Sequence, residues 1–438
     1  MFSLPKYGEG LCLARLAELL SVLGIDRARL REISVVVTGS NGKGSTAAFC
    51  AAIGRAFGLR SGLFTSPHLY RFNERFRIDG APIDDATLAR LLARIEAAIA
   101  DVAQRRGESF GAFEAQFALA CLYFQEAQCD FAVFEAGIGG RYDPARLIGA
   151  LATCVTSVDY EHVALLGHSL ELIASDKSDA CAAGGVIVYG ENCAALRDHL
   201  TEYNRSRDVV GLFVGDQLSI GNPISTAQGQ CFDLRFDSQD FAAIEMNLLG
   251  AFQFNNAAIA IALVLLWLER SRPDATPRAI ESAIRAGLRN AEWPGRLETI
   301  RQQPLTVIDV GHTPDGIRRA LASLVSIHGA DGWILVLGVS RDKSADAIVA
   351  ALAPSFDRII CTSAHHKGAD AATIADSAHR ANPRADIHIA PTVALAARDA
   401  LAMAQSLNRK IYVAGGLFLA IEFATVTRGG RAEDLAFF

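Results

Sequence analysis

The segment Gly-Ser-Asn-Gly-Lys-Gly-Ser-Thr at residues 39–46 constrains this chain more than any other. A β-branched apolar run over residues 33–38 precedes it and an Ala-rich helical pattern over about 45–57 follows, so the order is strand, glycine-rich turn, helix. Such a turn aligns successive backbone N–H groups with the positive end of a helix and makes a concave site for phosphate. Lys43 adds a mobile charge for the outer phosphates, and Ser45 or Thr46 offers a hydroxyl to Mg²⁺. The pattern departs from GxxxxGK[ST]: Gly44 follows the lysine, and the leading Gly39 lies closer to it.

A phosphate loop of this kind belongs to parallel α/β architectures, and the rest of the chain agrees. Further strand candidates at residues 131–134, 154–158, 186–189, 306–309, 333–337, 358–361 and 411–414 alternate with Ala/Leu-rich helical segments. Most are followed by Gly, Asp or His, as where loops leave the carboxyl ends of parallel strands to bind ligands. The more polar stretch 204–240 contains short alternating segments such as CFDLRF and predicts a small antiparallel excursion, with a long apolar helix after it over 249–270. Pro and Gly in WPGRLE at 293–298 interrupt the helical pattern before a new strand–helix series. The expected domains are therefore 1–297 and 298–438, consistent with a chain of 438 residues, about three times the usual domain size.

Composition narrows the function. Hydrophobic residues at 51% and charged residues at 21% describe a chain that folds. A net charge of -6 gives no basic field to follow a phosphate backbone, so nucleic acid is not an expected partner. The longest fully apolar run, residues 257–268, has twelve residues where a membrane span needs about twenty, so no membrane partner is expected. The opening MFSLPKYGEG lacks the basic and apolar regions of a signal peptide, and a cytoplasmic location is expected. Nine cysteines, Cys12 among them, show no CxxC pair or matching His spacing and read as reduced core thiols.

Three more strand ends carry polar groups. FEAGIGGR at 134–141 places Glu135 before a glycine turn, where a carboxylate can hold Mg²⁺, although one exposed acid before a turn is the alternative. SVDYEH at 157–162 contains His162, and Lys177 follows on a helix; surface or core roles compete for both. At the boundary, Arg296 of WPGRLE can clamp phosphate, and beyond it Asp309 in DVGHTPDG can bind ribose hydroxyls or simply end a strand.

Each motif is modest, but their order is specific. With TSPHLYRFNERF at 65–76, FEAQFALACLYF at 113–124, GAFQFNNAA at 250–258, LGVSRDK at 337–343 and AGGLFLA at 414–420, the set resembles the Mur ligase superfamily. Within it, the chain resembles the dihydrofolate synthase and folylpolyglutamate synthase family over nearly its whole length. The resemblance implies an N-terminal ATPase-like domain, a smaller Rossmann-like C-terminal domain and an active site between them. It implies a ligase of folate biosynthesis in which ATP phosphorylates a carboxylate and the amine of L-glutamate attacks the acyl phosphate. By the match, Gly39, Asn41, Gly42, Lys43, Gly44, Ser45 and Thr46 hold the phosphates, with Asn256, Arg296, Asp309 and His312 holding the rest of ATP or closing the domains over it. Ser45, Ser66, Glu135, His162 and Lys177 become Mg²⁺ ligands, Lys177 as a carbamate; Lys43, Lys177 and His162 carry the chemistry. A monomer is expected.

Departures from the family pattern are concentrated away from the nucleotide. Asp143-Pro144-Ala145-Arg146 replaces Asp-Ala-Thr-Asn, Phe117 replaces threonine, and Glu161 stands for Asp. Asp176-Lys177-Ser178-Asp179-Ala180 replaces Glu-Lys-Ala-Gly-Ile, and Gly311-His312-Thr313-Pro314 replaces Ala-His-Asn-Pro. Phe117 and Arg146 are therefore expected in the acceptor site, where an added guanidinium favours an extra carboxylate or phosphate on the substrate. The competing readings are an amide ligase with a non-folate acceptor and a nucleotide-binding regulatory protein without turnover.

Overall fold

The computed structural model describes residues 4–5, 10, 13–341 and 345–437. Its first sheet has eight strands: β1 (Ser34–Thr38), β2 (Ser61–Phe64), β3 (Phe76–Ile78), β4 (Ala81–Pro82), β5 (Phe131–Glu135), β6 (Ala152–Val155), β7 (Val186–Tyr189) and β8 (Val210–Phe213). They lie in the order β4-β3-β2-β5-β1-β6-β7-β8. The six from β2 to β8 run parallel, while β3 and β4 turn back as an antiparallel edge. Every residue of β1 is buried, as expected for a central strand covered on both faces. Val35 and Val37 pack with helices Lys43–Ala56 and Phe252–Ser271, while Val36 faces the opposite core with helices Leu13–Val22, Asp85–Arg106 and Ala112–Glu126.

Helix Phe252–Ser271 is long and apolar enough to cross a membrane, but 78% of its apolar window is buried inside the protein. It packs beside the phosphate-loop helix and beneath a three-stranded antiparallel sheet of β9 (Leu218–Thr226), β10 (Gly229–Phe236) and β11 (Gln239–Met246). This is the expected excursion, displaced toward the C-terminus of 204–240.

A third sheet contains β12 (Glu298–Gln302), β13 (Leu305–Ile308), β14 (Trp333–Leu337), β15 (Arg358–Thr362), β16 (Asp386–Ala390) and β17 (Lys410–Ala414). Its order is β12-β13-β17-β14-β15-β16, parallel except for β12. The strand expected at 154–158 ends at Val155, because Thr156 and Ser157 turn their hydroxyls to the phosphate loop. The eight cysteines among the described residues are free thiols; Cys12 lies outside those residues, as do Asp342 and Lys343 of LGVSRDK.

Candidate active site

The carboxyl ends of β1 and β5 meet the loop after β13 across a cleft of about 1020 Å³. At its floor the phosphate loop is fixed by the segment following β6. Ser40 N–H donates to the Ser157 carbonyl at 2.9 Å, and Asn41 N–H donates to Ser157 Oγ at 2.8 Å. The Thr156 hydroxyl donates to the Asn41 carbonyl at 2.6 Å. Two glycines are required by close approach: a Cβ on Gly42, where φ is 90°, would meet Asn256 Oδ1 at 2.4 Å, and one on Gly44 would meet the Trp293 ring at 2.6 Å. The second contact explains the extra glycine after the lysine, since Trp293 of WPGRLE lies against it.

Lys43 Nζ donates to the Gly39 carbonyl at 2.8 Å, so the ammonium folds back over its own loop. Ser45 Oγ receives Gln253 Nε2 at 3.3 Å, and Gln253 Oε1 in turn receives Asn256 Nδ2 at 2.9 Å. Glu135 is 5% exposed and accepts the Ser66 N–H at 3.0 Å. Burial raises its carboxyl to about 7, against the pull of Lys43, the Ser66 N–H, Arg296 and Arg75. Asp143 accepts the N–H groups of Gly137, Ile138 and Ala145 and so shapes the glycine turn; burial raises it to about 6. Lys177 Nζ lies 2.6 Å from Glu161 Oε1. Burial opposes the charge on Glu161, but Lys43 and Lys177 outweigh it and hold that carboxyl at about 2. Burial also pushes the Lys177 ammonium down, countered by Glu161.

From the second domain, Asp309 accepts Leu297 N–H at 3.1 Å and Gly311 N–H at 2.7 Å. Burial raises its carboxyl, with Arg296 opposing. It thus ends a strand through its own turn while also lining the cleft, as Arg296 and the exposed His312 do.

Asn41, Gly42, Lys43, Gly44, Ser45, Ser66, Glu135, His162, Asn256, Arg296, Asp309 and His312 all line this one cleft. Gly39 and Thr46 sit beneath it, Thr46 fully buried with no partner for its hydroxyl, and Lys177 stands one layer back, joined through Glu161. Two expected acceptor residues are corrected. Phe117 is 1% exposed and packs against Phe64 and Phe134, with ring centroids 6.3 and 5.5 Å away, so it fills the core. Arg146 is exposed outside the cleft and donates to the Arg141 carbonyl at 2.8 Å, closing its own loop.

A residue without a sequence-level expectation is Arg75, which is buried at the cleft wall and donates to His68 Nδ1 and Gln116 Oε1, both at 2.9 Å. Nothing in the sequence separates it from Arg71 and Arg77, which flank the same aromatic residues Phe72 and Phe76. Thr156 and Ser157 were likewise read as strand.

The donor set suits a hard cation shared with phosphates: a buried carboxylate that burial disfavours in its charged form, with the Ser45 hydroxyl in the same cleft. Among the described residues no three His, Cys, Asp or Glu side chains converge into a metal cage of their own.

Comparison with known proteins agrees with this geometry. The Mur ligase middle domain matches residues 37–264, and the Mur ligase glutamate ligase domain matches 295–416. A folylpolyglutamate synthase of Lacticaseibacillus casei is 33% identical over 347 residues, 79% of each chain. A probable bifunctional folylpolyglutamate synthase/dihydropteroate synthase of Haloferax volcanii is 32% identical over 89% of this chain, which spans only 46% of that protein. Among solved structures, a Mycobacterium tuberculosis folylpolyglutamate synthase complexed with ADP superposes with a TM-score of 0.86 at 28% identity, covering 97% of this chain and 96% of the other. The chain belongs to the Mur ligase superfamily and, within it, to the dihydrofolate synthase/folylpolyglutamate synthase family.

Proposed function

We propose that this chain is an ATP-dependent ligase that joins L-glutamate to the carboxylate of dihydropteroate, of a folate, or of both. The observation that carries this is the convergence on one cleft of a phosphate loop, a buried acid at the next strand end, Arg296 at the domain boundary, and Asp309 and His312 of the second domain. A solved folylpolyglutamate synthase complex with AMPPCP and folate, with a TM-score of 0.77 at 29% identity, supports the substrate classes.

A free carboxylate is a poor acyl donor because its leaving group would be oxide. An acceptor oxygen therefore attacks the γ-phosphorus of ATP and ADP departs. The glutamate amine then attacks the acyl carbon, phosphate leaves with the transferred oxygen, and the nitrogen sheds a proton. The N–H groups of residues 39–46 and Lys43 bind and orient the β- and γ-phosphates. Asn256, Arg296, Asp309 and His312 hold the remainder of the nucleotide and bring the second domain over it. Ser45, Ser66, Glu135, His162 and Lys177 would hold Mg²⁺, which when bound offsets the repulsion between phosphates and acceptor carboxylate. Carbamylation of Lys177 is part of this proposal: its ammonium first gives up a proton, the free amine adds to CO₂, and a second proton leaves the nitrogen, turning a buried cation into a carboxylate. A ¹³C NMR carbamate signal in protein equilibrated with ¹³CO₂, absent from Lys177→Ala, would test it.

The units 1–297 and 298–438, a monomeric state and a cytoplasmic location belong to the same reading. With Phe117 in the core and Arg146 outside the cleft, the case for a non-folate acceptor loses both residues that carried it. The test is phosphate release with glutamate and a panel of dihydropteroate, tetrahydrofolate and simple aryl carboxylates. Glutamate-dependent release confined to pteroates and folates is expected; release with aryl acids alone, or none, would overturn the reading.

A further inference from the structure

The phosphate loop reaches across the domain boundary at one side chain. Its backbone is tied to Thr156 and Ser157 of its own domain, but Asn41 Oδ1 accepts a hydrogen bond at 3.2 Å from Thr313 Oγ1, which belongs to the second domain. Thr313 is the N-cap of helix Pro314–His328, and the same hydroxyl oxygen accepts Gly316 N–H at 3.2 Å. One hydroxyl can do both, giving its proton to the amide oxygen and a lone pair to the helix. The approach is tight: a Cβ on Gly316 would lie 3.0 Å from Thr313 Oγ1 and 3.6 Å from Asn41 Oδ1. The neighbours of this contact, His312, Asp315 and Gly316, line the cleft.

We infer that Thr313 is a positioning residue for the nucleotide, registering the second domain on the phosphate loop through Asn41. The inference rests on the nucleotide reading above. Asn41 lies in the loop that would bind phosphate, and Thr313 directly follows His312, so the hydrogen bond fixes the distance between groups that act on opposite sides of one nucleotide. A cap alone would stabilise the helix and leave nucleotide affinity unchanged. A cap that also donates to the loop makes affinity depend on the hydroxyl proton. Valine keeps the shape of threonine but supplies neither bond; serine supplies both.

The experiment is calorimetric titration of a non-hydrolysable ATP analogue into the full chain and into Thr313→Val, Thr313→Ser, Asn41→Ala and the Thr313→Val/Asn41→Ala double variant. Thr313→Val is expected to weaken binding about five- to tenfold, the scale of one hydrogen bond, and Thr313→Ser to stay within about twofold of wild type. The double variant should bind no more weakly than Asn41→Ala, because the same contact is lost once. Loss of the cap will lower the melting temperature of Thr313→Val in both backgrounds, a shift separate from the coupling. Wild-type binding with losses that add in the double variant would overturn the role of Thr313 alone, as would a serine variant as weak as valine. A wild-type chain that does not bind the analogue would overturn the nucleotide reading and this inference with it.

Discussion

On the amino-terminal side of the cleft, charged groups sit deep and are held from several directions. Glu135 is gripped by the Ser66 N–H, Lys177 is paired with Glu161, and the loop carrying Lys43 is tied to Thr156 and Ser157. On the carboxyl-terminal side only Asp309, among the described charged residues of the cleft, is comparably buried, while Arg296 reaches in from the domain boundary and His312 from the loop after β13. One wall is thus built before any substrate arrives, whereas the other is delivered by the way two domains meet. Changes in the first wall should remove chemistry, and changes in the second should shift affinity.

The largest effect expected on that contrast is at Lys43. Lys43→Ala should lower turnover by on the order of 10³-fold or more, since it removes the loop's mobile charge from the transferring phosphate. Its melting temperature should barely move, because the side chain bonds only its own loop. Near-normal phosphate release from this variant would mean that the first wall is not the phosphate site. Next is Phe117, which belongs to the core behind that wall. Phe117→Ala should cost about 3–5 kcal/mol of stability by denaturant titration, with the specificity constants of the folded protein unchanged. A stable variant with altered acceptor preference would instead put Phe117 back in the site.

A smaller effect tests the second domain. Glu422, fully buried on helix Leu417–Thr427, accepts the N–H groups of His365 and His366 at 2.7 and 2.9 Å. Burial raises its carboxyl above the ordinary value of 4.5, so the folded state holds a proton that the unfolded chain has already released. The stabilisation from this proton is complete below that value and is lost as pH rises through the raised one. Melting temperatures of wild type and Glu422→Gln, compared across that window, should differ by this slope, the variant lacking it; parallel curves would contradict the assignment. Smallest of all is Arg146→Ala, expected to change stability by under about 0.5 kcal/mol and acceptor preference not at all, as for an exposed loop arginine. A shift in preference between dihydropteroate and folate would return it to the acceptor site.

What the sequence made legible follows the same division. The strand, turn and helix around Lys43 could be read because glycine spacing and a β-branched run report local backbone geometry directly. Glu135 and Asp309 were visible as polar residues where apolar runs stop. The short strand Ser61–Phe64 and the edge strand Asp386–Ala390 were not, since Gly, Ser, Asp and His dilute the apolar pattern that marks a buried strand. Phe117 and Arg146 were misplaced for a different reason: position in a motif gives neighbourhood but not the direction in which a side chain points. Helix Ala112–Glu126 turns Phe117 to the core while Gln116, one residue earlier, meets Arg75 at the cleft wall. Thr313 shows in the sequence only as a departure from the family pattern, because its partner is 272 residues away.

The central claim, amide formation through an acyl phosphate, is tested most directly by oxygen transfer. The acceptor, labelled with ¹⁸O in the reacting carboxylate, is incubated with ATP and glutamate, and the released phosphate is analysed by mass spectrometry. One labelled oxygen in each phosphate formed is the expected result, since the attacking oxygen leaves with the phosphorus. Glutamate-dependent amide formation with unlabelled phosphate would contradict it.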